Sequence, residues 1–195
     1  SKNATKSASS TKAAASAKPV GQTCDIAIYS DGACSPNPGK AGTGIAVYQN
    51  EKLKFLMYGL YDGNGTNNTA ELNGLLEGFK LAEKYCRQGL RVELLSDSKY
   101  GIDCITKWAA GWKNKGWKKA DGSPIKNPEL VQQCYELYLR LRKDIVITHV
   151  RGHADIEGNE LADRMAVQAR LQQQNAFVEY QGTLDIKTIL AMPSG

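Results

Sequence analysis

No stretch of this sequence approaches the ~18–20 consecutive apolar residues that a membrane-crossing helix needs, so a membrane-spanning helix is excluded. Cysteine pairing is missing as well. Cys24, Cys34, Cys86, Cys104 and Cys134 are odd in number and widely spaced, with no C-x-x-C. This excludes a secreted disulfide framework and a cysteine-rich zinc knuckle. It points to an intracellular, reducing compartment, without separating nucleus, cytoplasm and mitochondrion. Acid is absent from residues 1–19, which carry Lys2, Lys6, Lys12 and Lys18. Residues 1–22 are Ser/Ala/Lys-rich and without apolar periodicity, and they are expected to form a disordered tail or linker. They lack the apolar core of a signal peptide and the arginines of a transit peptide. What is present suits one soluble globular domain: 195 residues, 42% of them hydrophobic and 23% charged.

The net charge of +5 is unevenly placed. Between positions 107 and 126, Lys107, Lys113, Lys115, Lys118, Lys119 and Lys126 face Asp121 alone, and the rest of the folded part leans acidic. Such a block attracts polyanions, and the attraction weakens with salt. Trp108, Trp112 and Trp117, all the tryptophans of the chain, interleave with these lysines. Aromatic faces among cations suit nucleic acid. A solvated lysine face with a tryptophan packing seam is the alternative.

Hydrophobic periodicity orders the rest. Alternating, β-rich runs at Asp25–Ser30, Gly42–Gln49 and Lys52–Leu60, the last two joined at Asn50-Glu51, predict an antiparallel meander. From about Asn68 to Arg87, Leu72, Leu75, Leu76, Phe79, Ala82 and Cys86 recur at helical steps. Arg91–Ser96 predicts a strand and Lys99–Ala110 a helix, after which Gly111, Gly116 and Gly122 break the lysine–tryptophan segment. Pro128 opens a helix to about Arg142. Asp144–Val150 predicts a strand, and a loop over Gly152–Gly158 leads to a helix over Asn159–Gln173. The order is β-β-β-α-β-α-α-β-α. It predicts an α/β fold: a five-stranded mixed sheet, the meander plus parallel strands added by crossovers, with helices on both faces. The folded domain spans 23–174, and 175–195 is expected to be a poorly fixed C-terminal tail of unknown role.

Four carboxylates occupy positions this topology can gather. Asp31 ends the first strand and Asp97 the fourth; sites in α/β sheets form at the carboxyl ends of strands. Glu71 lies in the first turn of the long helix, and Asp163 lies on the last helix beyond the loop. Each also has a plain structural reading. Glu71 suits a capping box with Asn68 as N-cap. Asp97 beside Ser98 suits a helix cap, and Asp31-Gly32 a turn. Asp163 suits a solvated helix position, although Val167 gives it no basic partner one turn on. Crowded together, however, unpaired carboxylates repel, and divalent cations relieve that cost. Hard oxygen donors favour Mg2+ or Mn2+. A pair of such ions about 3.5–4 Å apart activates water and stabilises the leaving oxygen of a phosphodiester.

Five words in order carry a family resemblance: Y-S-D-G-A-C-S-P-N-P-G (Tyr29–Gly39), T-N-N-T-A-E-L (Thr66–Leu72), L-S-D-S-K-Y (Leu95–Tyr100), W-A-A-G-W-K-N-K-G-W-K (Trp108–Lys118) and H-V-R-G-H-A-D-I-E-G-N-E-L-A-D-R (His149–Arg164). Over roughly residues 24–171 the chain resembles type 1 ribonuclease H, in the cellular form with a basic protrusion. The resemblance implies a ribonuclease H-like fold and cleavage of the RNA strand of RNA/DNA hybrids, leaving 5′-phosphate and 3′-hydroxyl ends. It implies that Asp31, Glu71, Asp97 and Asp163 bind two Mg2+ ions, with Mn2+ able to substitute. Asp31 would bridge both ions, Asp163 would complete the site that activates water, and Glu71 and Asp97 would hold the ion near the leaving 3′-oxygen. His153 matches a loop histidine that assists proton transfer or product and metal release. Asn37, Asn67, Asn68 and Glu71 are implied along the RNA strand, where the 2′-hydroxyl marks RNA. Tyr100, Trp108 and Trp112 are implied along the DNA strand, with Thr66 and Asn127 around a DNA phosphate. Asn64 stands where some relatives place an arginine, which implies lower phosphate affinity or a lysine in its stead. Lys113, Lys115, Lys118 and Lys119 belong to the basic protrusion, about 108–126.

Competing readings stay open. A transposase, integrase or junction resolvase on the same fold shares carboxylates and metals, and a non-catalytic hybrid-binding module shares the basic segment. The spacing His149-x-x-x-His153 suits zinc, but His149 falls in a strand pattern and Cys134 has no close partner. A monomer is expected. Some eukaryotic relatives carry a separate N-terminal hybrid-binding domain ahead of such a linker, and one is possible here. Gln181-x-x-Leu184 faintly resembles a sliding-clamp motif without its aromatic pair.

Overall fold

The computed structural model describes residues 24–195; the expected tail at 1–22 lies outside the described residues. The alternating runs at the start become β1 (Ile26–Ser35), β2 (Gly39–Gln49) and β3 (Lys52–Gly65), paired antiparallel in sequence. All three are longer than the apolar pattern alone defines, because their ends carry polar and glycine residues that pair without being buried in the apolar core. Two crossovers then add β4 (Val92–Ser96) and β5 (Ile145–His149), parallel to β1 and to each other. The sheet order is β5-β4-β1-β2-β3-β6.

The sixth strand corrects the expected five. β6 (Val178–Glu179) comes from the segment expected to be a tail and pairs antiparallel with Met57 and Tyr58 of β3. A short helix, α6 (Ile186–Leu190), comes after it and buries Ile189 completely. The segment is thus fixed to the body. Its apolar residues are too sparse to show periodicity, yet Ile186, Ile189, Leu190 and Met192 all pack on one cluster.

Side-chain alternation divides the core. Ile26 and Ile28 of β1, with Ile45 and Val47 of β2, face α1 (Asn67–Arg87) and α4 (Pro128–Leu141), where Leu72, Leu75, Phe79 and Val131 are buried. The opposite face carries Ala46, Tyr48 and Leu56 against α5 (Glu157–Gln172), through Leu161 and Met165. Gly44 permits this second contact, since a Cβ there would lie 2.3 Å from the Ala162 carbonyl oxygen. Between β4 and α4 the chain forms α2 (Lys99–Asp103), one wide π-helical turn (Cys104–Trp108) and α3 (Ala109–Asn114). Gly111 therefore lies inside a helix, contrary to its expected role as a breaker. Gly116 and Gly122, at φ +68° and +84°, make the turns instead.

Candidate active site

Topology brings the first two carboxylates together. The parallel pairing of β1 and β4 ends at Ser30 and Ser96, so Asp31 and Asp97 are the next residues on adjacent strands. Asp31 does not end β1, as expected from the apolar run: the strand continues to Ser35 on its pairing with β2. What ends there is the β4 partner. Gly32 then admits the third carboxylate. A Cβ at Gly32 would lie 2.6 Å from the Glu71 backbone nitrogen, so only glycine lets the first turns of α1 rest on β1. The N-cap of α1 is Thr66, whose Oγ1 accepts from the Thr69 N–H, and not Asn68. Likewise Ser98, not Asp97, caps α2, accepting from the Gly101 N–H. Both acids are thus released from the capping roles that sequence allows them.

Carboxylate oxygens of Asp31, Glu71 and Asp97 lie within 4.8 Å of one another. Asp31 is 5% exposed; its Oδ1 accepts from the Gly32 N–H at 2.9 Å, and its carboxyl shares a side-chain hydrogen bond with Glu71. Burial, then the charges of Glu71 and Asp97, pushes its carboxyl well above the usual carboxylate range. Burial, then the charge of Asp97, raises Glu71 too. Among the described residues, Glu71 Oε2 is buried with no hydrogen-bond partner. Such an orphaned acceptor among like charges is costly. A hard divalent cation fits this donor set, since oxygen ligands and surplus negative charge are what it requires.

Asp163 lines the same cleft, of about 590 Å3, but does not join the close group of three. It does have a basic partner. Arg164, the adjacent residue, donates to Asp163 Oδ2 at 2.9 Å, and the Gly195 N–H also donates to the carboxylate. Burial nevertheless raises its carboxyl above the usual range. His153, exposed at the rim, lines the cleft from a loop whose backbone is left-handed at both His153 and Asp155. His149 instead points its Nε2 at the Asp97 carbonyl, 3.1 Å away, so the two histidines do not form a zinc pair.

Two lining residues, Asn159 inside the last family word and Arg170 beyond it, are not among the predicted site residues. Asn159 is 2% exposed and donates from Nδ2 to Asp97 Oδ2 at 3.4 Å. It lies one helical turn before Asp163 on α5, so the i, i+4 spacing was the available signal. Arg170 reaches the cleft from the same helix; no pattern marks it.

The remaining predicted residues fall on two flanks. Asn37, Asn67 and Asn68 are exposed beside the cleft, with the Asn67 N–H donating to Asn37 Oδ1 at 3.2 Å. Thr66, next to Asn67 in the sequence, joins Thr69 and Asn127 in one chain of hydrogen bonds, 2.9 Å between the threonine hydroxyls and 2.8 Å from Thr69 to Asn127. Beyond them Tyr100, Trp108 and Trp112 form a ladder, with ring centroids 6.2 and 5.8 Å apart. The wide turn makes this ladder. At ~100° per residue an unbroken α-helix would set Trp108 about 80° and Trp112 about 120° away from Tyr100. One extra residue in the turn brings both back to within about 20°. Trp108 and Trp112 then line a groove of about 570 Å3 with Lys107, Lys115, Lys118 and Lys119. Lys113 is exposed nearby on α3. Trp117 packs edge-on to Tyr135 at 6.3 Å, and both it and Trp112 are half-buried against the core, so the packing-seam reading holds for these two tryptophans while Trp108 stays exposed.

The family model for RNase H matches residues 23–171. Ribonuclease H of Rhodopirellula baltica is 38% identical over 150 residues, covering 75% of this chain and 91% of that protein. Among solved structures, the PFV RNase H domain superposes with a TM-score of 0.65 at 26% identity, covering 79% of this chain and 99% of that one. A foamy viral protease-reverse transcriptase in complex with RNA/DNA hybrid gives a TM-score of 0.68 at 22% identity over 88% of this chain and 23% of that one, a likeness of fold. With the match spanning the first five strands, both helical faces and all four carboxylates, the chain belongs to the RNase H family.

Proposed function

We propose that this ribonuclease H hydrolyses the RNA strand of RNA/DNA hybrids, with Asp31, Glu71, Asp97 and Asp163 holding two Mg2+ ions. The observation that carries this reading is the close group of three carboxylates around a buried, unpartnered Glu71 oxygen. Bound there, divalent ions supply an activated water and charge stabilisation for the leaving 3′-oxygen. The protein groups do the rest. Asn159 steadies the Asp97 carboxylate through its amide. Asn37, Asn67 and Asn68 offer donors and acceptors to the ribose side, where a 2′-hydroxyl distinguishes RNA from DNA. Thr66 and Asn127, held through Thr69, receive a phosphate of the DNA strand, and Tyr100, Trp108 and Trp112 offer flat faces to its deoxyriboses. Lys113, Lys115, Lys118 and Lys119 add sequence-independent attraction to the duplex. His153, on its exposed loop, is within the cleft to move a proton or to escort product out.

The test is a cleavage assay in Mg2+ on matched hybrid, DNA duplex and RNA duplex. Cutting confined to the RNA of the hybrid, with 5′-phosphate ends, is expected. Cutting of DNA would favour a transposase-like enzyme on this fold, and binding without turnover a non-catalytic module. We expect the protein to act as a monomer.

A further inference from the structure

The match to the family ends at residue 171, yet the chain beyond it stays on the molecule and reaches the cleft. β6 extends the sheet, Tyr180 packs edge-on to Tyr58 at 6.1 Å, and Ile189 is fully buried. Ser194 and Gly195 line the cleft itself. One side chain joins this segment to a carboxylate of the site. The Arg164 guanidinium, 13% exposed, donates from Nη1 to Asp163 Oδ2 at 2.9 Å and to Glu160 Oε2 at 2.7 Å. Its Nε donates to the Leu190 carbonyl of α6 at 3.3 Å.

We propose that Arg164 is a positioning residue that competes with a divalent cation for Asp163, and that the C-terminal segment sets how strongly it does so. The inference rests on the reading of Asp163 as a metal ligand. Its physical basis is the crowding of donors on that carboxylate. Oδ2 accepts from Arg164 and from the Gly195 N–H, and Oδ1 accepts from the same N–H. A cation approaching Asp163 meets occupied lone pairs and a guanidinium that never loses its charge. In a cleft screened less than bulk water, that like charge opposes the ion. Arg164 cannot readily swing aside, because Glu160 and the Leu190 carbonyl hold its other donors. This arrangement also accounts for Asp163 standing outside the close group of three. The tail therefore reaches into the metal site through its main chain rather than through a conspicuous side chain.

The experiment is calorimetric titration of Mn2+ into the full chain without nucleic acid, so that its readout is binding and not turnover. Arg164→Gln removes the charge and keeps hydrogen-bonding capacity; it is expected to tighten Mn2+ binding by about three- to tenfold. Arg164→Lys keeps the charge and is expected to bind within about twofold of the unsubstituted protein. Equal or weaker binding by the Gln variant overturns the proposal, as does a Lys variant that behaves like Gln. Ile189→Ala loosens the α6 anchor. It is expected to tighten binding by about twofold alone and to add nothing to Arg164→Gln. Additive effects would overturn the link to the tail. Should Arg164→Gln not fold, as judged by its melting curve, Ile189→Ala decides alone, and unchanged Mn2+ affinity there overturns the proposal. Failure of the unsubstituted protein to cleave hybrid would instead overturn the catalytic reading, which the titration does not measure.

Discussion

In the carboxylate cleft Asp31 is 5% exposed and like charges are held close, whereas Trp108 in the lysine–tryptophan groove is 43% exposed and the lysines stand in solvent. The first arrangement is electrostatically unfavourable until a counter-charge arrives; the second costs the fold little. Their origins differ in the same way. Asp31, Glu71, Asp97 and Asp163 come from four separate stretches and line one cleft only once β4 has paired with β1 and α5 has closed over the sheet. Tyr100 to Lys119 is one local stretch, aligned by a single wide turn. Long-range topology thus builds the site that does chemistry, and local helix geometry builds the surface that adds affinity.

Removing the central carboxylate should show the contrast most strongly. Asp31→Asn is expected to lower kcat on hybrid by about a thousandfold or more, since several kcal/mol of transition-state stabilisation would depend on the ions it is proposed to hold. Hybrid affinity should be kept or improved, because a repulsive charge is gone; a filter-binding assay in Ca2+ checks this. Loss of binding would make Asp31 a structural residue. The reciprocal change is on the groove. Replacing Lys113, Lys115, Lys118 and Lys119 by alanine should weaken affinity and leave kcat little changed. The plot of log K against log salt should flatten by up to ~0.9 for each phosphate that is no longer neutralised. An unaltered salt slope would remove this segment from the interface.

A smaller contrast lies within the groove segment. Trp108→Ala should cost hybrid affinity about 1–3 kcal/mol, the usual worth of a stacking platform, and leave the melting temperature nearly unchanged. Trp117→Ala should cost stability by about 2–3 kcal/mol, less than a fully buried tryptophan, and leave the salt slope alone. Urea melts and salt titrations on both variants test the division; identical behaviour would erase it.

The way each feature forms decides how legible it is in sequence. The meander, the crossover helices and the pairing of Asp31 with Asp97 are readable, because apolar periodicity marks elements and strand ends mark sites. The capping roles of Thr66 and Ser98 are not separable from those of Asn68 and Asp97, since neighbouring residues have equal capping chemistry and only backbone angles choose between them. The wide turn leaves no pattern, because one inserted residue shifts the helical phase without changing composition. β6 and α6 are hidden for a related reason: two paired residues and one buried isoleucine are too few to make a period. Arg164 ends a family word and its pairing with Glu160 has the i, i+4 spacing, yet its contacts with a main-chain carbonyl and with Asp163, its own chain neighbour, follow from no such rule.

The cleft also predicts its own pH dependence, the smallest effect and one the groove should lack. Asp31 and Glu71 have carboxyls raised above their ordinary values, first by burial and then by neighbouring carboxylate charge, that of Asp97 included. A raised folded-state value means that the fold binds protons more tightly than the unfolded chain. For these acids the contribution to stability is fully present below the unfolded value, near pH 4, and is lost as pH rises towards the folded one, about 8 for Glu71. Metal-free protein in chelator should therefore melt at progressively lower temperature from about pH 5 to pH 8. Mg2+, if held by these carboxylates as proposed, would bind their ionised form, so adding it should stabilise most at the upper end and flatten the profile. Asp31→Asn should flatten it without metal, because one of the crowded charges never forms. The lysine replacement, far from any raised carboxyl, should leave the slope as it was. A metal-free melting temperature that rises across this interval would mean that the cleft carboxylates are not held together in the unliganded fold.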